Sequence, residues 1–173
     1  TYFSIVHLPV TPSVCNLRPT SRGSVHLADL DVRADPVIQP RYLSTENDQI
    51  VAVEGLKMVH RVMQAPAFEK YVPKEARVPA DTGSGDGRTD AQWLQAARHL
   101  GTTIFHPAGT CRMGRRGDNS VVDSQLRVHG VKGLRVVDAS VMPTITSGNT
   151  ANPTMAIAET AAALILGQDD PAH

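Results

Sequence analysis

The chain has 173 residues, with 17 Lys and Arg balanced by 17 Asp and Glu, and two cysteines. That length suits one core or one piece of a larger enzyme. Balanced charge argues against nucleic acid or an anionic membrane as partner, and the longest apolar stretch, around residues 161–166, is too short to span a bilayer. Cys15 and Cys111 stand far apart without a CxxC spacing. Reduced, buried thiols and a cytoplasmic setting follow more naturally than a disulfide framework.

The chain opens at Thr1-Tyr2-Phe3 without a methionine and with apolar alternation already under way. Such a start fits a longer polypeptide cut at this point, or a processed N-terminus. Residues 3–8 and 24–27 alternate as strands do, joined by "LRPTSRG". Arg18 and Arg22 of that connection are expected to bridge to backbone carbonyls rather than to meet an anionic substrate. Prolines 36 and 40 favour extended, edge-like backbone.

From Asp48 to Gln64, Ile50, Val51, Val53, Leu56, Val59, Val62 and Met63 recur at helical spacing, with Glu46 and Asp48 where the helix dipole favours acids. The Gly-rich residues 80–88 predict a surface loop, since no buried strand precedes a dinucleotide fingerprint there. Thr89-Asp-Ala-Gln92 fits a capping box, and Trp93, Leu94, Ala97 and Leu100 supply a stripe for a helix that ends at Gly101. Trp93 and Tyr42 are expected in the core. Leu126–Val128 and Leu134–Val137 predict short strands turned by Gly130 and Gly133.

The stretch "SGNTANPTMAIAE", residues 147–159, passes from small polar residues into an apolar helix. Asn152 as N-cap, Pro153 at the first helical position and Gly167 as the stop predict a largely buried helix over residues 153–166. Its face comprises Met155, Ile157, Ala158, Ala161, Ala162, Leu164 and Ile165. No acid precedes Glu159, so the positive end of the helix is left for an anion or electron-rich group, or else is simply capped. Gly148 permits close backbone approach, and Asn149 offers a donor and an acceptor. His106, in "IFHPAGT", is the histidine best presented for chemistry. It shares no metal-ligand spacing with Cys111, His99 or His129.

Together "FHPAGTCRMG", "VVDSQLRVHGVKGLRVVDASVMP" and "SGNTANPTMAIAE" closely resemble the C-terminal part of the glucose-methanol-choline (GMC) oxidoreductases, with bacterial choline-dehydrogenase-like alcohol dehydrogenases and oxidases closest in pattern. "LRPTSRGSVHL" and "DPVIQPRYLS" extend the likeness over nearly the whole chain. The resemblance implies an α+β fold: a substrate-binding sheet with flanking helices over residues 1–130, then a returning strand and helix over residues 131–173 that complete the Rossmann-type FAD domain. The N-terminal half bearing the FAD fingerprint is absent from this sequence and is the implied partner. A small-molecule alcohol is the implied substrate, its hydride passing to flavin N5.

By the same resemblance His106 is the catalytic base and Asn149 orients the substrate oxygen. Asp138 and Ala139 meet the ribityl or phosphate region of the flavin, and Asn152, Pro153 and Thr154 meet its pyrimidine edge. Imidazole suits proton transfer near neutral pH, and a helix N-terminus suits negative charge on the reduced ring. Two alternatives stay open: a lyase resembling the hydroxynitrile lyases, and a non-catalytic C-terminal module without its flavin half.

Overall fold

The computed structural model describes residues 2–4, 7–8, 12–71, 74–75 and 87–167. The Gly-rich loop predicted at residues 80–88 lies almost entirely outside them. The chain divides by packing into two compact units, Thr1–Ile104 and Phe105–His173.

In the first unit the described strands form antiparallel pairs. β1 (Tyr2–Ser4) pairs with β3 (Ser13–Cys15), β2 (His7–Leu8) with β6 (Lys74–Glu75), and β4 (Ser24–His26) with β5 (Val37–Gln39). The alternating bursts at residues 3–8 and 24–27 are therefore strands, but each finds a partner elsewhere. β5 carries the extended backbone that the flanking prolines favour.

Helix α1 (Glu46–Met63) begins at Thr45, whose side chain accepts from the Asp48 N–H. Helix α2 (Asp90–Leu100) begins at Thr89 with both halves of the predicted capping box formed. Their apolar stripes meet through Leu43, Ala52, Val53, Leu56, Trp93 and Ala97, with Val14 and Leu94 alongside. Gly55 lets α1 lie close over β3, because a Cβ there would stand 2.7 Å from Val14 Cγ2. Trp93 is core as expected; Tyr42 is not, at 48% exposed. The backbone turns through left-handed Arg41 and Leu43, and it is Leu43 that enters the core.

Buried Asp48 ties the "PTSR" segment to the start of α1. Its Oδ1 accepts from Asn16 Nδ2 (3.2 Å), Thr20 N (2.8 Å) and Thr20 Oγ1 (2.9 Å), and its Oδ2 from Ser21 N (2.9 Å). Burial alone would push this carboxyl up, but the hydrogen bonds from Ser21 and Thr20 outweigh it and hold the pKa at about 2. Arg22 bonds the carbonyls of Pro19 (2.9 Å) and Ser21 (3.0 Å), the structural role expected of it.

The second unit gathers around Val122, Leu126, Val141 and Ala161, with Val122 and Val141 at 0% exposed. Where strands were expected over residues 126–137, the chain makes single bridges, Val122 to Val128 and Arg127 to Arg135. Left-handed Leu126, Gly130 and Gly133 turn it too often for a longer ladder. Helix α3 (Ala151–Leu166) closes at left-handed Gly167, as predicted, but starts two residues early, with Thr150 as its N-cap.

The expectation that α3 is largely buried is also corrected: Ala161 is its one buried residue. Ile157 and Leu164 lie half-buried on the same side, whereas Met155, Ala158, Ala162 and Ile165 form a second apolar stripe that is exposed in this chain. A helix apolar over this much of its circumference belongs to a larger buried setting. Cys15 and Cys111 are unbridged and half-buried rather than buried.

Candidate functional site

Three segments of the second unit converge. The first carries His106. Phe105 before it takes φ 62, an uncommon conformation for a bulky residue, and leaves its own side chain 80% exposed. Gly109, at φ 87, turns the chain where an added Cβ would stand 3.3 Å from the Met142 carbonyl oxygen. Beyond that turn, Cys111 N–H donates to Ser140 O (3.0 Å) and Met113 N–H to Val141 O (2.8 Å), so the "HPAGTCRM" backbone runs along the second segment, residues 138–142.

There Asp138 caps a short 3-10 turn, Ala139–Val141, its Oδ1 accepting from Ser140 N–H at 2.7 Å. Asp138 is exposed and Ala139 half-buried. Val141 shares the apolar cluster with Ala161 of α3, which sets the third segment on the same core.

The third segment joins the first directly. Thr150 Oγ1 lies 3.0 Å from His106 Nδ1. Thr150 is 8% exposed, while its neighbour Asn149 is exposed and makes no hydrogen bond among the described residues. The α3 N-terminus itself carries no side-chain cap and no acid in its first turn. Asn152 is exposed, and Pro153 and Thr154 are half-buried. Thr154 turns both its N–H (3.0 Å) and its hydroxyl (2.7 Å) to the Thr150 carbonyl, so what it offers outward is shape rather than a donor.

The structure thus brings His106 to the turn that holds Asn149, and brings the Asp138–Ala139 turn to the backbone that follows His106. Two features escaped the sequence reading. One is Thr150 itself; the signal available was a threonine three residues before a proline. The other is a set of buried polar atoms without partners among the described residues, Ser140 Oγ, Thr146 Oγ1 and Arg112 Nε. Such atoms are costly unless something satisfies them.

Elsewhere in this unit His129 Nε2 sits 3.1 Å from both Ser120 Oγ and the Gly114 carbonyl, a structural tie. A shallow cavity of about 400 Å³, lined in part by Arg116, Asp123, Arg127, Lys132 and Arg135, shares no residue with the His106 cluster. Among the described residues no His, Cys, Asp or Glu gather in threes as metal ligands would, and no helix is long and apolar enough to cross a membrane.

A family model described as GMC oxidoreductase matches residues 19–158. The chain is 40% identical over 162 residues to an alcohol dehydrogenase [acceptor] of Pseudomonas putida, covering 94% of this chain and 28% of that protein. It is 40% identical over 153 residues to an oxygen-dependent choline dehydrogenase of Pseudomonas fluorescens, covering 88% of this chain and 26% of that one. Among solved structures, an FAD-dependent oxidoreductase from Chaetomium thermophilum superposes with a TM-score of 0.81 at 28% identity, over 91% of this chain and 26% of that one. The chain therefore spans about a quarter of the length of these relatives.

Proposed function

The chain belongs to the GMC oxidoreductase family, and from that premise we propose that it forms the C-terminal portion of an FAD-dependent enzyme that oxidises the CH–OH group of a small alcohol. Residues 1–130 serve the substrate side and residues 131–173 complete the flavin site. The partner is the flavin-fingerprint portion of the same enzyme. Two observations support it: the relatives run to more than three times this length, and α3 exposes the stripe Met155, Ala158, Ala162 and Ile165. Free Cys15 and Cys111 agree with the cytoplasmic setting proposed for the enzyme.

The residues present fit the cofactor. An N-terminus with neither cap nor acid can give its N–H groups to electron-rich ring atoms, and the orphaned Ser140 and Thr146 hydroxyls lie in the same unit, in the segments before that helix. Asn152, Pro153 and Thr154 are assigned to the pyrimidine edge, and Asp138 and Ala139 to the ribityl or phosphate region. FAD, when bound, supplies the two-electron acceptor.

The chain's own part in the reaction is to place the alcohol and take its proton. Oxidising a CH–OH group requires loss of the hydroxyl proton, and His106 is the base that accepts it. Asn149 holds the alcohol oxygen through its amide, which has no partner among the described residues, and so fixes the direction of the C–H bond. The observation that supports this reading is the 3.0 Å link between His106 and Thr150, the residue next to Asn149 at the start of α3.

The test is His106→Ala in the assembled flavoenzyme. With a panel of choline, benzyl alcohol and 1-butanol and an artificial electron acceptor, turnover should fall by roughly 10²- to 10⁴-fold while the flavin absorbance is retained. Turnover equal to wild type would remove His106 from the mechanism.

A further inference from the structure

The geometry points to Thr150 as the residue that positions His106, its hydroxyl oxygen accepting from Nδ1–H so that Nε2 is left bare to take the substrate proton; this rests on the reading of His106 as base. A neutral imidazole carries one N–H and one acceptor nitrogen, and the partner of one nitrogen decides which form the ring takes. The partner here is Thr150 Oγ1 at 3.0 Å, on a residue buried to 8% exposure.

The local sequence explains why this oxygen is available. A threonine at an N-cap ordinarily gives its side-chain oxygen to the N–H of the second or third helical residue. In α3 the third residue is Pro153, which has no N–H. Thr150 also departs from the usual cap conformation, with φ −84 and ψ −6 in the right-handed region, and makes no side-chain cap bond. Thr45 and Thr89, at the starts of α1 and α2, are extended and do make theirs, to Asp48 and Gln92. With no N–H at the third position and no cap bond made to the second, the Thr150 oxygen is available to His106, and this buried threonine becomes the ring's support.

A hydroxyl suits this task. It accepts from Nδ1–H before proton transfer and still accepts once both ring nitrogens are protonated, so the ring keeps one orientation through the step. As an uncharged group it orients the imidazole without adding a carboxylate's charge to the site.

The experiment compares Thr150→Val, Thr150→Ser, His106→Ala and the double variant of His106→Ala with Thr150→Val in the assembled enzyme, using whichever alcohol of the panel the wild type oxidises. Thr150→Val should lower kcat on the order of 10- to 100-fold with KM within about twofold, the usual consequence of releasing the group that orients a catalytic side chain. Thr150→Ser should recover to within roughly threefold of wild type, and the double variant should be no slower than His106→Ala. Wild-type kcat in Thr150→Val, a serine variant as slow as the valine one, or additive losses in the double variant would each overturn the assignment.

A second readout does not depend on activity. In enzyme labelled with ¹⁵N-histidine, two-bond ¹H–¹⁵N correlations should show His106 protonated at Nδ1 in the wild type and shifted from that state in Thr150→Val. A wild-type ring protonated at Nε2, or an unchanged tautomer in the valine variant, refutes the support by Thr150 directly. Should His106→Ala keep full turnover, the base reading falls by itself, and the tautomer measurement still judges Thr150.

Discussion

Helices α1 and α3 both start at a threonine, and the contrast between the two starts separates a structural polar cluster from the one proposed to be functional. At α1, Thr45 caps in the ordinary extended conformation, Glu46 and Asp48 answer the dipole, and the Asp48 carboxylate accepts from Asn16, Thr20 and Ser21. The cluster is closed on itself. At α3 the cap oxygen faces His106, no acid answers the dipole, the Asn149 amide has no partner among the described residues, and two nearby hydroxyls are buried without one. Local stability has been left incomplete there, as expected where a ligand supplies the missing contacts.

The closed cluster should reveal itself in stability alone. Asp48→Asn should cost roughly 2 kcal/mol, read as a lower urea midpoint at neutral pH. Because the folded pKa of Asp48, about 2, lies below the unfolded carboxylate value, its contribution is complete above about pH 4 and is lost as pH falls toward 2. The gap between wild type and Asp48→Asn should therefore narrow in acid. A gap that stays constant from pH 7 to pH 3 would mean that the charge of Asp48 contributes nothing. Alcohol turnover at neutral pH and low temperature, where both proteins are folded, should be the same within about twofold.

Thr89→Ala sharpens the comparison from the other side. It removes a conventional cap and half of a capping box, so stability should drop by about 1 kcal/mol while kcat is unchanged. That pattern is the reverse of the one expected at Thr150, where kcat falls and the cap bond is already missing. Equal effects on kcat at the two threonines would erase the distinction between a structural and a diverted cap.

How legible each start was follows from the range of the forces that set it. The α2 box was readable because Thr89 and Gln92 satisfy each other three residues apart, and α1 because its apolar spacing repeats over 18 residues. At α3 the ranking of cap residues favoured Asn152, and Pro153 fits the third helical position as well as the first, since N–H groups in the first turn lack intrahelical partners anyway. The choice fell to Thr150, whose hydroxyl is engaged by His106, 44 residues earlier, and no local rule could supply that contact. The closeness of "HPAGT" and "SGNT" came from family resemblance, not from spacing. The burial of α3 was misjudged because composition lumped two neighbouring stripes, Ile157-Ala161-Leu164 and Met155-Ala158-Ala162-Ile165, into one face.

The smallest expected effect concerns Arg22. Its guanidinium Nη1 donates to the carbonyls of Pro19 and Ser21 within its own loop, in an exposed setting. Arg22→Lys keeps the charge but places a flexible ammonium where one nitrogen of a planar guanidinium held two carbonyls. Stability should fall by about 0.5 kcal/mol, since exposed hydrogen bonds contribute little against water. If Arg22 belongs to the closed, structural side of the molecule, KM for a carboxylate-bearing alcohol such as 4-(hydroxymethyl)benzoate and for neutral benzyl alcohol should change by the same factor. A KM that rises for the anionic alcohol alone would move Arg22 from the structural side of the comparison into substrate binding.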